Sequence, residues 1–369
     1  MSRKKLTTQE ALDLFAELPS DCDSNASDVS SDSDEIEIQE RITEVEVIAE
    51  EERDTCENEA EFTEPSESSV PCWNKQEVDI SLPEFKEDSG PTGEIFDLDD
   101  PTPVNLFLSI FTLKFIEHIV FQSNLYATQK NSVFSPLDSN EFLRFLAVNL
   151  LMGVKKFPSY RDYWRSTALL HGDYIANIMP VNRFSWILGN FHINDNCLQP
   201  KRGEANFDKL YKIRPLLNHL SERFMAVFNP NETQAVDESM IRFKGRSSLK
   251  QYMPKKPIKR GYKVWMRCDV TGFACQFEIY TGKLGDSVEK NLGERVVKTL
   301  CQPLYGNNHR VFMDNYFSSY NLFRFLKTQN IYACGTVNMN RKYLPKNLKE
   351  DKFMSRGDID FSVEVKNNK

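Results

Sequence analysis

Apolar residues recur with a helical period between about residues 101 and 230. Thr102 and Pro103 supply an N-cap and a first-turn proline, and Asp138 with Glu141 resembles a capping box. The predicted helices run from Thr102 to Ile119, Asp138 to Gly153, Asn182 to Asn190 and Asp208 to Phe228. This part of the chain is therefore predicted to be all-helical.

At Thr233 the hydrophobic period changes from helical to extended. The predicted order is an interrupted strand, two further strands, a helix, a strand, a helix and a strand. Their positions are Thr233–Val236 with Ser239–Phe243, Lys263–Asp269, Phe273–Tyr280, a helix capped by Asp286 and Glu289, Arg310–Met313, Ser318–Thr328 and Ile331–Val337. A three-strand meander followed by alternating helices and strands is typical of a mixed sheet with helices on its faces. The sequence thus predicts an α+β fold.

The N-terminal part differs in composition from the rest of the chain. Residues 1–100 carry 31 Asp and Glu against 7 Lys and Arg, a net charge of −24, whereas the remaining residues carry +16. From Ser20 to about Leu98 the chain is acidic and serine-rich, so we expect disorder there, with one short helix over Thr8–Leu18. The predicted domains are a tail (1–99), a helical region (100–230) and a sheet region (231–369). The tail is either a solvated segment or a regulatory arm with phosphorylatable serines.

The eight cysteines show no CxxC pair and no Cys/His spacing suited to zinc, so no zinc is expected. The polar start, Met1 to Lys5, does not resemble a signal peptide, and no apolar run reaches the roughly 20 residues of a membrane span. We expect an intracellular protein with reduced thiols and no membrane partner.

Two aspartates follow predicted strands. Asp237 ends or interrupts the first strand, and Asp314 ends the fourth. If these strands are neighbours in the sheet, both carboxylates point to a common position, where they can hold Mg²⁺ or Mn²⁺. Two such ions about 3.5–4 Å apart support phosphodiester cleavage or transfer. Asp237 and Asp314 are therefore the candidate catalytic and metal-binding residues.

A dense basic segment follows Asp237. Ten cations lie within 26 residues, namely Arg242, Lys244, Arg246, Lys250, Lys255, Lys256, Lys259, Arg260, Lys263 and Arg267. Such a segment is expected to contact the phosphates of double-stranded DNA; the alternative is a solvated face. The run Lys255–Arg260 also has the composition of a nuclear import signal, so a nuclear location is expected.

Four segments resemble a known family. AVDESMIRFKGR (235–246), KQYMPKKPIKRGYKVW (250–265), VFMDNYFSSYNLFRFLK (311–327) and ACGTVNMNRKYLPK (333–346) are similar to motifs of the piggyBac transposases and the proteins derived from them. The resemblance runs from about Pro103 to the C-terminus. It implies a helical dimerisation and DNA-binding region followed by a ribonuclease-H-like core, in which three aspartates bind two metal ions. Asp237 matches the first aspartate and Asp314 the second.

The third aspartate of the family pattern has no match before Lys369, and neither does the cysteine-rich zinc module. Ser355–Val365 resembles a strand that precedes the third acid in the family, and Asp358 and Asp360 are poor replacements for that acid. The ribonuclease-H-like core is thus expected to be incomplete at its C-terminus, and little strand transfer is expected from this chain alone.

Three functions remain open at this point. The first is a transposable element-derived DNA-binding protein without complete catalysis. The second is a fragment of an active transposase. The third is a protein-interaction module with vestigial DNA binding, whose partners bind the helical region or the acidic tail. A homodimer is a further expectation, from the dimerisation region that the resemblance implies.

Overall fold

The computed structural model describes residues 71–165, 173–282, 289 and 291–365. The predicted helix over Thr8–Leu18, the acidic tail up to residue 70 and the Asp286 cap lie outside these ranges. The helices before the sheet are α1 (Gly93–Phe96), α2 (Pro103–Ile110), α3 (Leu113–Gln129), α4 (Ser139–Val154), α5 (Asp173–Ile178), α6 (Val181–Asn190) and α7 (Arg214–Val227). Those that follow strands of the sheet are α8 (Leu292–Cys301) and α9 (Tyr320–Thr328).

The N-caps at Thr102 and Asp138 are confirmed. The Thr102 hydroxyl accepts a hydrogen bond from the N–H of Asn105 at 3.3 Å. Asp138 Oδ1 accepts one from the N–H of Glu141 at 2.8 Å. Each cap satisfies an N–H group that has no partner within its helix.

Two predicted helix bounds are wrong. The helix expected from Thr102 to Ile119 is broken into α2 and α3, which meet at 65°, because the Thr112 hydroxyl caps a new helix at the N–H of Phe115. The helix expected from Asp208 begins only at Arg214. The Asp208 carboxylate instead accepts hydrogen bonds from the N–H of Leu210 and from Arg214, which forms a local turn before the helix.

The helical region packs around its own apolar core. Phe142, Phe184, Ile116, Ile119 and Ile187 are almost fully inaccessible to solvent there. Arg183 donates to both carboxylate oxygens of Glu141, which joins α6 to α4 at the surface. Within the described ranges, no single helix is long and apolar enough to cross a membrane, and the bent pair α2 and α3 passes that test by length and composition only.

The central sheet is mixed, as predicted, but the predicted interruption of its first strand at Asp237 is wrong, because the strand continues through Asp237 and pairs without a break. Its strands are β4 (Thr233–Arg242), β5 (Gln251–Tyr252), β6 (Arg260–Asp269), β7 (Ala274–Ile279), β8 (Arg310–Met313) and β9 (Tyr332–Gly335). Strand β6 pairs antiparallel with β4 on one side and with β7 and β5 on the other. Strands β4, β8 and β9 are parallel neighbours in that order. Helices α8 and α9 bury their apolar sides against this sheet, with Val297, Leu322 and Leu326 fully inaccessible.

Residues 71–97 lie within the segment expected to be disordered, but this expectation is wrong for them, because they are anchored on the rest of the chain. Trp73 donates its indole N–H to the carbonyl of Tyr343 at 2.9 Å. The ring of Phe85 lies 4.8 Å from that of His309. The hydroxyl of Thr92 donates to the carbonyl of Ala226 at 2.7 Å. We call residues 71–97 the strap. Its two aromatic anchors, Trp73 and Phe85, were not recognised in the sequence because the segment around them is rich in acidic residues.

The two ends of the described chain pair with each other. Strand β1 (Cys72–Asn74) lies antiparallel to β10 (Val363–Val365). The short strands β2 (Gly90–Pro91) and β3 (Phe228–Asn229) also pair. The strand expected over Ser355–Val365 is therefore limited to its last three residues and lies outside the central sheet. A turn in which Asp358 accepts from the N–H of Ser355 replaces its first half.

Candidate metal centre and basic hairpin

The parallel pairing of β4 with β8 brings the two predicted aspartates together. The last residue pair in this register is Val236 with Met313. Asp237 and Asp314 are the residues that follow this pair. Strand β4 continues through Asp237, which pairs with Met266 of β6, whereas β8 ends directly before Asp314. The β4–β8 pairing confirms the predicted neighbourhood of the two strands. The carboxylate of Asp314 is oriented by the N–H of Tyr316, which donates to Oδ1 at 3.0 Å.

A third carboxylate belongs to the same group. One carboxylate oxygen from each of Asp237, Glu238 and Asp314 lies within 4.8 Å of the others. Glu238 was missed as a site residue, because the family pattern places the third acid far downstream. Its signal in the sequence was its position directly after Asp237. We call these three residues the acidic cluster.

The donor set of the acidic cluster fits a divalent cation. Three carboxylates offer only oxygen ligands, the kind that Mg²⁺ and Mn²⁺ prefer. Asp237 and Asp314 are exposed and Glu238 is half-buried, so a bound ion would keep water or phosphate oxygens as further ligands. Such an ion supplies Lewis-acid stabilisation of phosphate oxygens when it is bound.

A lysine already neutralises part of this charge. Lys256 Nζ lies 2.8 Å from Glu238 Oε1, and the Glu238 side chain is only 11% exposed. The hydrogen bond to Glu238 raises the pKa of Lys256. For Glu238, burial alone would raise the pKa, but the hydrogen bonds with Lys256 and Asp237 outweigh it and the pKa is lowered. Glu238 and Lys256 therefore form an ion pair at neutral pH.

The environment of Asp237 raises the pKa of its carboxylate, whereas that of Glu238 lowers the pKa. Desolvation raises its pKa, and the neighbouring negative charge of Glu238 adds to the increase. The N–H of Glu238 donates to Asp237 Oδ1 at 2.7 Å and partly offsets these effects. A like-charged neighbour disfavours the ionised form of a carboxylate, and a bound cation would relieve that repulsion.

Most of the predicted DNA-binding cations lie on one hairpin. The end of β4, β5, the loop 243–259 and the start of β6 form the basic hairpin. Six of its cations are exposed: Arg242, Lys244, Arg246, Lys255, Lys259 and Arg260. Lys250 and Lys256 are half-buried. An open groove of about 370 Å³ on this hairpin is lined by four of these cations together with Tyr252, Pro257 and Ile258.

Lys263 and Arg267 do not belong to this surface, and their prediction as DNA contacts is wrong. Lys263 is 9% exposed and lies over the ring of Tyr316, 4.9 Å from its centroid. Arg267 is fully inaccessible to solvent. Both occupy the face of β6 that also carries the buried Trp265. A period-two pattern through Trp265 was the signal that could have separated them from the exposed cations.

Arg267 instead forms hydrogen bonds in the core that connect β6 to helix α8 and to strand β4. Its guanidinium donates to the carbonyl of Leu300 at 2.8 Å and to Gln234 Oε1 at 2.7 Å. Gln234 in turn donates a hydrogen bond from Nε2 to Asp269 Oδ2 at 3.0 Å. Burial lowers the pKa of Arg267 below its ordinary value. These bonds satisfy a buried charged group.

Asp358 and Asp360 are engaged away from the acidic cluster. Asp358 accepts from the N–H of Ser355 at 2.9 Å. Asp360 forms an ion pair with Lys75 of the strap and accepts from the N–H of Lys349 at 2.7 Å. Their side chains have local structural roles, which agrees with their rejection as replacements for the third acid.

Comparison with known proteins places this geometry in a family. A family model described as Transposase IS4 matches residues 102–368. PiggyBac transposable element-derived protein 3 of Homo sapiens is 33% identical over 307 residues, which cover 80% of this chain and 50% of that protein. PiggyBac transposable element-derived protein 2 of Homo sapiens is 30% identical over 301 residues, covering 79% and 49%. The chain thus spans about half the length of the curated relatives it matches.

A solved structure shares the fold. The cryo-EM structure of the piggyBac transposase synaptic complex with hairpin DNA matches with a TM-score of 0.62 and 24% identity, over 70% of this chain and 55% of that chain. This match confirms the predicted α+β architecture. The family match, the two relatives and the shared fold agree with the motifs around Asp237 and Asp314, and the chain belongs to the piggyBac transposase family.

Proposed function

We propose that this chain is a piggyBac-derived protein that binds double-stranded DNA through its basic hairpin. The observation that carries this proposal is the set of six exposed cations on one hairpin. Cations held on a single surface neutralise adjacent phosphates and release the counterions condensed on DNA. The matched piggyBac transposase, which was solved with hairpin DNA, supports the same partner.

The acidic cluster supports a divalent metal as the cofactor of the same surface. The family uses divalent metal, and we propose Mg²⁺ or Mn²⁺ at Asp237, Glu238 and Asp314. DNA strand transfer is not part of the proposed function, because among the described residues only Asp237 and Asp314 match aspartates of the family pattern. A nuclear location agrees with DNA as the partner and with the exposed Lys255, Lys259 and Arg260.

The proposal is tested by the salt dependence of DNA binding. One variant replaces Arg242, Lys244, Lys255 and Lys259 by Gln. The matched control replaces four exposed lysines elsewhere, namely Lys327, Lys342, Lys346 and Lys349, with the same change in net charge. Affinity for a duplex of random sequence is measured between roughly 50 and 300 mM salt by fluorescence anisotropy. Thermal unfolding verifies that both variants fold.

The hairpin variant is expected to bind more weakly at every salt concentration. Its slope of log affinity against log salt should be smaller by about 1 for each phosphate that the variant no longer neutralises. The control variant should keep a slope close to that of the original chain. Equal slopes for all three proteins, or an equal weakening in the two variants, would show that the basic hairpin is not the DNA-binding surface.

A further inference from the structure

The ammonium group of Lys256 lies at the acidic cluster, where a metal ion would bind. Its ammonium contacts Glu238 at 2.8 Å, and the Lys256 side chain is only 33% exposed. Glu238 is one of the three carboxylates whose oxygens converge within 4.8 Å. A divalent ion that used this Glu238 oxygen would thus meet the ammonium of Lys256 as a like charge at close range.

The loop of the basic hairpin holds Lys256 in this position. The N–H of Met253 donates to the carbonyl of Lys259 at 2.8 Å, and the N–H of Lys256 donates to the carbonyl of Met253 at 3.2 Å. Pro254 and Pro257 restrict the backbone on either side of the lysine pair. Lys255, directly before Lys256, is exposed instead. The loop thus places Lys255 at the surface and Lys256 at the acidic cluster.

We propose that Lys256 is an internal counterion that competes with the divalent metal for Glu238, so that the metal binds fully only when Lys256 leaves the cluster. This inference rests on the metal site of the proposed function. With Lys256 in place, the cluster is partly neutralised and Glu238 is not free to act as a ligand. With Lys256 withdrawn, all three carboxylates are available and their mutual repulsion favours a cation.

The same loop carries the cations that we propose to bind DNA. Phosphates that attract Lys256 away from Glu238 would free the cluster for metal. Because coupling between two binding sites is reciprocal, DNA and metal should each tighten the binding of the other by the same factor. The metal site is then filled preferentially when a phosphate backbone is present beside it.

The test measures Mn²⁺ binding to the full chain without DNA, by the electron paramagnetic resonance signal of free Mn²⁺. Variants Lys256→Gln and Lys255→Gln differ by one position and carry the same charge change. A double variant, Asp237→Asn with Asp314→Asn, provides the background from other acidic residues, including the N-terminal tail. Only the binding that this double variant lacks is assigned to the cluster, and thermal unfolding monitors the fold of each protein.

Lys256→Gln is expected to bind Mn²⁺ at the cluster roughly tenfold more tightly than the original chain, within the usual range of coupling between linked sites. Lys255→Gln should change the affinity by less than about threefold, because exposed charges are screened. Lys256→Arg, which keeps the positive charge, should stay close to the original affinity. Addition of duplex DNA should tighten Mn²⁺ binding by the original chain more than binding by Lys256→Gln.

Two results would overturn the inference, and they are distinguishable. If Lys256→Gln and Lys255→Gln bind Mn²⁺ equally, or Lys256→Gln binds it more weakly, the cluster holds metal but Lys256 does not compete for it. If Lys256→Gln shows no more binding than the double variant, the metal site of the proposed function is wrong as well. DNA binding by the basic hairpin is tested independently, by the salt-dependence experiment described above.

Discussion

Val236 lies opposite Met313 in the parallel pairing of β4 and β8, and this pair determines where the acidic cluster forms. The residue after each member of this pair carries a carboxylate, namely Asp237 within β4 and Asp314 directly after β8. Hydrogen bonds between backbones thus align Asp237 with Asp314, although Asp314 lies 77 positions further along the sequence. Because the register depends on the backbone, it should persist when either carboxylate is replaced.

Asp314→Asn should remove the stabilisation of the fold by metal without destabilising the metal-free protein. A ligand that binds only the folded state raises stability by RT ln(1 + [L]/Kd). The original chain should thus unfold at a higher temperature in millimolar Mn²⁺, whereas Asp314→Asn should not. Without metal, the variant should be at least as stable as the original chain, because a like charge has left the cluster.

Asp358→Asn is the matched control, because Asp358 accepts a hydrogen bond from Ser355 and is not a member of the cluster. It should keep the shift in unfolding temperature with Mn²⁺. A shift that survives in Asp314→Asn would place the metal elsewhere on the chain. Differential scanning fluorimetry with and without Mn²⁺ measures both variants.

Arg267→Met should destabilise the fold and leave DNA binding intact. The substitution leaves the buried carbonyl of Leu300 and Gln234 Oε1 without their donor. Each unpaired buried acceptor costs about 1–3 kcal/mol, so the free energy of unfolding should fall by about 3 kcal/mol in urea denaturation.

Arg242→Met tests the opposite case, because Arg242 lies exposed on the basic hairpin. It should change the free energy of unfolding by less than about 0.5 kcal/mol and weaken DNA binding. The assignment of Arg267 to the core would be wrong if Arg267→Met were as stable as the original chain and bound DNA more weakly.

Asp269→Asn should lower stability at neutral pH but much less in acid. Burial acts to raise the pKa of Asp269, yet hydrogen bonds from Thr271 and Asn231 outweigh it and lower the pKa from its ordinary value of 3.8. The folded-state pKa lies below the unfolded one, so the stabilisation is present above about pH 4 and is lost as the pH falls through the folded value.

At pH 7 the free energy of unfolding of Asp269→Asn should be lower by about 2 kcal/mol, the size of charge-assisted hydrogen bonds to a buried group. The difference from the original chain should shrink below about pH 4. Asp99→Asn, at an exposed position, should show a small difference at every pH. A constant deficit for Asp269→Asn down to pH 2 would contradict an ionised Asp269 in the folded state.

Gly335→Ala should disturb the sheet edge next to Asp314. Gly335 pairs with Met313 in the β8–β9 register. A Cβ atom there would overlap the Met313 carbonyl oxygen and lie 2.6 Å from Ser318 Oγ. Overpacking of this kind costs about 1–3 kcal/mol of unfolding free energy, and Mn²⁺ binding at the displaced cluster should weaken.

Gly153→Ala is the control for this substitution, because a Cβ at Gly153 meets no atom within 4 Å. It lies near the end of α4, where Ala is the better helix former by up to about 1 kcal/mol. Its stability should be unchanged or higher, with metal binding unaffected. Equal effects of the two substitutions would argue against a packing constraint at Gly335.

Periodicity predicted most elements of the fold because burial follows the backbone geometry of helices and strands. The Asp138 cap and the strand Arg310–Met313 could be read directly from the sequence. The break at Thr112 could not, because Phe111 and Phe115 continue the helical spacing across it. The cap depends on the hydroxyl of a polar residue, and the spacing of apolar residues gives no information about it.

The site was predictable only in part, for a similar reason. Asp314 follows a strand, Asp237 lies within the neighbouring strand, and both match family motifs, so their convergence could be predicted. Lys256 and Arg267 share a basic segment, yet one contacts the acidic cluster and the other lies in the core. Which cation is exposed depends on the side of strand β6 and on the path of the hairpin loop, and charge composition contains neither.

The contact between β1 and β10 has a consequence for the order of folding. Ser362 Oγ donates to the carbonyl of Asn74 across 288 residues, next to a pairing of only three residues on each strand. Closing so long a loop has an entropic cost that three residue pairs cannot offset until the intervening chain is compact. The ends of the described chain should therefore meet last during folding and separate first during unfolding. Amide hydrogens of Cys72–Asn74 should then exchange with solvent before those of the central sheet.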